Sequence, residues 1–286
     1  MIARMNDLLI FDIGMSTGQD TAYYLHRGFK VVAVEANPLL AAQVAARYPA
    51  EIDSGRLIIE NVAISETSGS ADFWICDDKP DWSSFDRACA SRRGYRHHAI
   101  QVQCATLPGL IRKHGQPHYI KIDIEGHDRI CITQLSPADA PPFLSVETYG
   151  CNAESVADLL ALGYTKFKIS DQVCFRPVED PPLLSHTFFW ALQRFYYQSE
   201  MDRHAYAARF FGKLGGRALA NRIVRRYRSS HGHAFADGAA GPFGDDLPGR
   251  WLPGPETARL LKDLVGINKK LSQGRFSRWF DLHACK

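Results

Sequence analysis

Hydrophobic residues follow two rhythms along the first 190 positions. Short apolar runs, many of them β-branched, recur as Leu8–Ile13, Lys30–Ala36, Arg56–Ile64, His118–Ile124 and Pro142–Thr148. Each reads as a buried strand. Between them lie stretches with helical spacing: residues 18–27, Leu39–Tyr48 behind Pro38, Leu107–His114, Asp128–Leu135 and Glu154–Leu162. Ala71–Cys76, Ile100–Cys104, Tyr164–Ile169 and Thr187–Trp190 read as further strands. This alternation predicts an α/β fold, a mostly parallel sheet with helices on both faces. Ligands of such sheets bind beyond the C-terminal ends of the strands, where strand order switches.

The rhythm changes after Trp190. Residues 191–228 are rich in Arg and aromatics, and Leu219, Ala220, Ile223, Val224 and Tyr227 form an apolar stripe at helical spacing. Residues 229–250 carry five Gly and two Pro and read as a flexible loop; Pro255–Gly266 reads as a helix. The expected division is a ligand-binding domain over 1–191 and a basic, mainly helical C-terminal appendage over 192–286.

Composition narrows the class. The chain has 286 residues, 45% hydrophobic and 23% charged, which is globular and not disordered. No apolar run approaches the ~18–20 residues that span a bilayer. Seven cysteines, odd in number and without a CxxC pair, imply a reducing cytosol and argue against a disulfide framework or a zinc ribbon. The net charge of +3 is uneven. Residues 1–191 hold 17 Lys+Arg against 23 Asp+Glu, and residues 192–286 hold 17 against 8. The basic end, residues 217–228 above all, is a candidate for peripheral contact with an anionic membrane face. It lacks the stacking platform of common RNA modules, so no nucleic-acid partner is expected. Scattered histidines without a Cys or Asp cluster give no metal site.

The chemistry concentrates at strand ends. In FDIGMSTGQDT (11–21) a strand ends in Asp12, and Gly14 and Gly18 open a turn into a helix. Such a turn lets backbone N–H groups approach a ligand. Glu35, at the end of the next strand, is placed to accept hydrogen bonds from ribose hydroxyls. A dinucleotide site would favour G-x-G-x-x-G, but position 16 is Ser, and Asp12 would repel a pyrophosphate. A ligand carrying a sulfonium and an ammonium suits these charges, which points to S-adenosylmethionine. The rival readings are a nicotinamide-dependent dehydrogenase and a nucleic-acid methyltransferase that uses the Arg-rich tail.

FDIGMSTGQDT, VVAVEANP, ENVAIS, YIKIDIEGHD and LSVET, in that order, resemble the FkbM-type S-adenosylmethionine-dependent methyltransferases over about residues 8–190. KIDIEG after such a first motif is the specific part, and GPFGDDLPGRW (241–251) is similar to tails of some bacterial members. The resemblance implies a Rossmann-like class I methyltransferase with a seven-stranded sheet whose final strand is antiparallel. It implies methyl transfer to oxygen on a sugar or another small-molecule or glycan hydroxyl. By position, Asp12, Gly14, Ser16 and Gly18 would form the cofactor turn. Glu35 and Ala36 would hold the ribose, Asn61 and Val62 would border the adenine, and Thr21 and Asp123 would reach the methionine end. Ser16 departs from the Asn common in the family's turn. Little chain precedes the first strand, so a lid is expected from 76–99 or 192–286. A hydroxyl acceptor needs a general base. Glu125, then Asp123, then His127 are the leading candidates, with Glu147 and His186 behind them.

Overall fold

A computed structural model describes residues 8–148, 153–172, 175–178, 222, 228–272 and 279–286. The first half builds β1 (Leu9–Ile13), α1 (Gln19–His26), β2 (Lys30–Val34), α2 (Pro38–Arg47), α3 (Pro49–Asp53), β3 (Leu57–Glu60), β4 (Ala63–Ile64), β5 (Gly69–Cys76), α4 (Arg87–Ala90) and β6 (His97–Ala105). There follow α5 (Leu107–His114), β7 (Tyr119–Ile122), α6 (Asp128–Thr133), β8 (Phe143–Glu147), α7 (Ala153–Ala161) and β9 (Lys166–Asp171). The C-terminal part adds β10 (Ser229–Ser230), β11 (His233–Ala234), β12 (Leu252–Pro253), α8 (Gly254–Ser272) and β13 (Phe280–Cys285).

The main sheet runs β12-β9-β13-β8-β7-β1-β2-β3. Strands β3, β2, β1, β7 and β8 pair in parallel, while β13 is antiparallel to both β8 and β9. This is the Rossmann-like class I methyltransferase order, with the switch point between β1 and β7 and the reversed strand inside the sheet. The expected seven strands are present, and the two-residue β12 adds an eighth at the edge. The reversed strand is β13, from the end of the chain. The expected boundary at residue 191 therefore does not separate a finished sheet from an appendage. Thr187–Trp190, read as a strand from the sequence, lies outside the described residues.

Alternation along the strands sorts the two faces. Phe11, Ile13, Ile120, Ile122, Leu144, Val146, Leu282, Phe167 and Ile169 share one buried cluster with residues of α5, α6, α7 and α8. The other face is polar where a buried strand would read apolar. Asp12, Lys121, Ser145, His283 and Lys168 stand in register across five strands, all buried. Over this face lie α1 and the segment 235–247. Phe243 stacks on Tyr119 at 3.9 Å and 6°, and Lys168 Nζ donates to the carbonyls of Gly244 (3.1 Å) and Leu247 (2.6 Å). The segment read as a flexible loop is instead a packed layer, with Phe235, Ala239, Ala240, Phe243 and Leu247 buried.

The run Arg56–Ile64, expected as one strand, divides at Asn61 and Val62. Asn61 Nδ2 donates to the carbonyls of Glu35 (2.7 Å) and Ala36 (3.3 Å), and this side-chain pairing takes the place of a ladder. Strand β4 then joins a second sheet, β4-β6-β5. Its β5–β6 hairpin carries residues 77–96 at its tip, beside the C-terminal ends of the main strands. Of the basic stripe 217–228, Arg222 and Arg228 are described and the rest lies outside the described residues. Arg228 is buried, paired to Asp237 and the Ala236 carbonyl and lying over Phe175, so it does not face a membrane. No helix among the described residues is long and apolar enough to cross a bilayer. Phe243→Ala should cost about 3–5 kcal/mol, because a large ring leaves a closed layer. Urea denaturation with an unchanged m-value checks it.

Candidate active site

The turn after β1 is shaped by steric necessity. Gly14 has φ +81°, and a Cβ there would sit 1.7 Å from the Asp123 carbonyl oxygen. The close approach joins the end of β1 to the segment after β7. Ser16 also has positive φ, 51°, a region Asn tolerates better than Ser. Gly18, at φ +79°, begins α1 against Val44.

Glu35 is held from two sides. Its Oε2 accepts from the Ser16 N–H and its Oε1 from the Asn37 N–H, both at 2.8 Å. Burial raises its pKa, opposed by those two N–H groups. Each oxygen keeps a lone pair for a further donor. Ala36 and Val62 stand beside it, and a slot is lined by Gly14, Ser16, Glu35, Ala36, Leu40 and Val62. Phe85 and His127 close its other side. His127 takes the position that starts α6 and packs on Phe85 at 5.2 Å; burial lowers its pKa, opposed by Asp86.

Beneath the turn sits one cation among carboxylates. Lys121 Nζ lies 3.5 Å from Asp12, 3.6 Å from Asp123 and 4.0 Å from Asp20, and donates to the Gly14 carbonyl at 2.8 Å. Burial alone would lower its pKa, but Asp123, Asp12 and Asp20 hold it raised. Thr21 Oγ1 donates to Asp12 at 2.6 Å. Asp20 accepts the N–H groups of Ala240 and Gly241, and burial raises its pKa to about 7.

A second cavity of about 320 Å³ opens from the slot across Gly14, Ser16, Asp123 and Glu125. That is within the usual ligand range of about 300–1,000 Å³. Its further walls include Asp81 and Trp82 from the hairpin tip, Glu147 and Gln172, and Asp237, Gly238 and Trp279 from the C-terminal part. Glu125 pairs with Arg92. Burial, helped by Asp123 and opposed by Arg92, raises its pKa to about 7. Glu147 is buried and its pKa is raised well above the ordinary range, first by burial, then by Asp123 and Glu125. Neither Asp123 nor Glu125 caps α6: Asp128 folds back to accept from the Ile124 and Gly126 N–H groups, and Arg129 pairs with Glu154 and Asp158. Among the described residues no group of three His, Cys, Asp or Glu is disposed to hold a metal ion.

Of the residues marked from sequence, Gly14, Ser16, Glu35, Ala36, Val62, Asp123, Glu125 and His127 line these cavities. Asp12, Gly18 and Thr21 line neither and are buried, and Asn61 lines neither and is exposed. His186 lies outside the described residues. Glu147 lines the cavity as well, and Trp82 comes from the 76–99 stretch from which a lid was expected. Lys121, Gln172 and Trp279 were not marked; Lys121 was legible in KIDIEG, but Trp279 reaches the site only through tertiary packing.

The comparisons decide the class. Residues 12–144 match the methyltransferase FkbM domain model. That segment, a little under half of the chain, is an FkbM methyltransferase domain. It is an S-adenosylmethionine-dependent methyltransferase, which removes the dehydrogenase reading. No curated protein matches the chain. Among solved structures it is similar to precorrin-6y C5,15-methyltransferase from Geobacter metallireducens GS-15, with 12% identity, 59% of this chain, 70% of that chain and TM-score 0.33. It is also similar to Haemonchus contortus phosphoethanolamine N-methyltransferase 2 in complex with S-adenosyl-L-methionine, with 12% identity, all of this chain, 50% of that chain and TM-score 0.37. A third is PKMT2 from Rickettsia typhi in complex with AdoHcy, with 9% identity, 99% of this chain, 49% of that chain and TM-score 0.30. The methyltransferase thus spans about half the length of the last two.

Gly14→Ala should force β1 and the Asp123 segment apart. Calorimetric titration with S-adenosylhomocysteine should show lost affinity beside a lowered melting temperature. Wild-type affinity in this variant would contradict the close approach.

Proposed function

We propose that this methyltransferase transfers a methyl group to a hydroxyl of a small molecule or glycan, most simply a sugar, with Glu125 as the general base. The observation that carries the reading is the shared wall. Glu125 and Asp123 line both the slot beside Glu35 and the larger cavity. A nucleoside in the slot would therefore present its reactive end to an acceptor in the cavity.

The residues fit S-adenosylmethionine. The Glu35 carboxylate is pre-set by two backbone N–H groups for ribose hydroxyls, Ala36 and Val62 would border the base, and Ser16 Oγ is buried with no hydrogen-bond partner among the described residues. Asp20 and Asp123 line the cavity beside Lys121 and offer a carboxylate wall suited to an ammonium and a sulfonium. The cofactor, when bound, supplies an already activated methyl group. The chain's own task is alignment and proton removal. Glu125, ionised above its midpoint, would accept the proton that the acceptor hydroxyl gives up. Trp82 and Trp279, together with Asp81, Asp237 and Gln172, offer the mixed apolar and hydrogen-bonding surface that a polyol recognises. The reading includes location in the cytoplasm and contact of the stretch before Arg228 with a membrane face, for an acceptor carried on a lipid.

Titration with S-adenosylhomocysteine should give micromolar binding in the wild type and its loss in Glu35→Ala. No binding by the wild type would defeat the cofactor assignment. With an acceptor found in a sugar screen, the rate should climb with pH through about 7 as Glu125 loses its proton and then level off. Glu125→Gln should lower kcat by about 10²–10⁴. Unaltered turnover in that variant would exclude Glu125 as the base.

A further inference from the structure

Glu125 is gripped at both ends by the β5–β6 hairpin tip. Its carboxylate pairs with Arg92, and its carbonyl accepts the Ser84 hydroxyl at 2.9 Å. Ser84 is itself fully buried and bridged to Trp74 of β5 by two backbone hydrogen bonds, 2.9 and 3.0 Å. The Arg92 guanidinium lies 4.0 Å from the Trp82 ring centroid, and Trp82 is 4% exposed and lines the acceptor cavity. Glu125 has φ +52°, a left-handed conformation that a non-glycine residue keeps only when its surroundings hold it.

We propose that Arg92 is the positioning residue for Glu125: from the hairpin tip, and braced on Trp82, it holds the carboxylate at the cavity wall in its charged, proton-accepting form. The inference rests on the base assignment above. It adds that the insertion over 77–96 completes the proton-transfer site as well as walling the cavity. An acceptor that displaces Trp82 would disturb Arg92 and the base together.

The groups facing Glu125 give the sign. Asp123 from the end of β7, Glu147 from β8, and Asp81 and Cys89 from the insertion are acidic or anionic when ionised, and each favours the protonated carboxyl. Burial acts the same way, and Arg92 opposes them. Removing Arg92 must therefore raise the midpoint, so that Glu125 carries its proton at neutral pH and cannot accept another.

The test needs no acceptor. Carbon-13 labelling of glutamate carboxyls follows the Glu125 resonance, assigned by its disappearance in Glu125→Gln. In the unliganded wild type the midpoint should lie at about 7. In Arg92→Gln it should rise by about 1–3 pH units, the usual effect of a lost opposite charge. Arg92→Lys, which keeps the charge, should return it close to the wild-type value and keeps the test alive if the Gln variant folds poorly. Affinity for S-adenosylhomocysteine, measured in both variants, reports whether the Glu35 end of the slot is intact, since Arg92 itself lines neither the slot nor the cavity. An unmoved midpoint in Arg92→Gln, or a Lys variant that matches Gln, overturns the inference. Full turnover by Glu125→Gln with the Arg92 shift still present would overturn the base assignment and not the coupling.

Discussion

One buried ammonium joins the parts of this site. Lys121 stands where β1 and β7 diverge, with Asp12, Asp20 and Asp123 within 4.0 Å and the Gly14 carbonyl at 2.8 Å. Burying a lone lysine would cost several kcal/mol, and so would burying three carboxylates. Together they lower each other's cost, and burial still raises the pKa of Asp12 and Asp20. On the proposed function, a cationic ligand at the cavity would face the carboxylates of Asp20 and Asp123. The Gly14 turn, the start of α1 and the segment after β7 are all tied to this centre.

The centre requires a cover, and the C-terminal segment supplies it with backbone atoms. The Asp20 carboxylate takes N–H groups from Ala240 and Gly241, while Lys168 gives its protons to carbonyls of Gly244 and Leu247. An irregular strand can present N–H and C=O groups side by side, as a helix interior cannot. That explains how a polar row across five strands is buried beneath a stretch rich in Gly and Pro. The ion pair of Arg27 with Asp246 and the Phe243–Tyr119 stack fasten the same layer to α1 and the sheet.

The cavity is built from three separate stretches. The strand ends give Asp123, Glu125 and Glu147; the hairpin tip gives Asp81 and Trp82; the C-terminal part gives Asp237, Gly238 and Trp279. The strand ends are rigid through hydrogen-bonded ladders. The other two walls are loops and can vary in shape without disturbing the sheet. On the proposed function, acceptor selection would fall to the loops, and the cofactor and the proton-accepting carboxylate to the strand ends.

The local signals in the sequence were sufficient for much of this. β-branched runs and glycine turns specified β1, β2, β7 and β8 and the turn at Gly14, because period and steric limits act within a few residues. Glu35 was legible from its spacing alone. Pairing over long separations was not. The order of strands at the sheet's far side, with β13 entering between β8 and β9, depends on which edges remain open after the rest has folded. Phe280–Cys285 carries Asp and His on one face, so its pattern alone does not mark an interior strand. The Arg92–Glu125 pair spans 33 residues, and the Asp20 contact with Ala240 spans 220. The sequence by itself determined the strands, the cofactor turn and the carboxylates at their ends, since these follow from local geometry and residue chemistry. Tertiary structure alone decided which loops cover them, because burial of a charge is settled by partners that only the folded chain brings near.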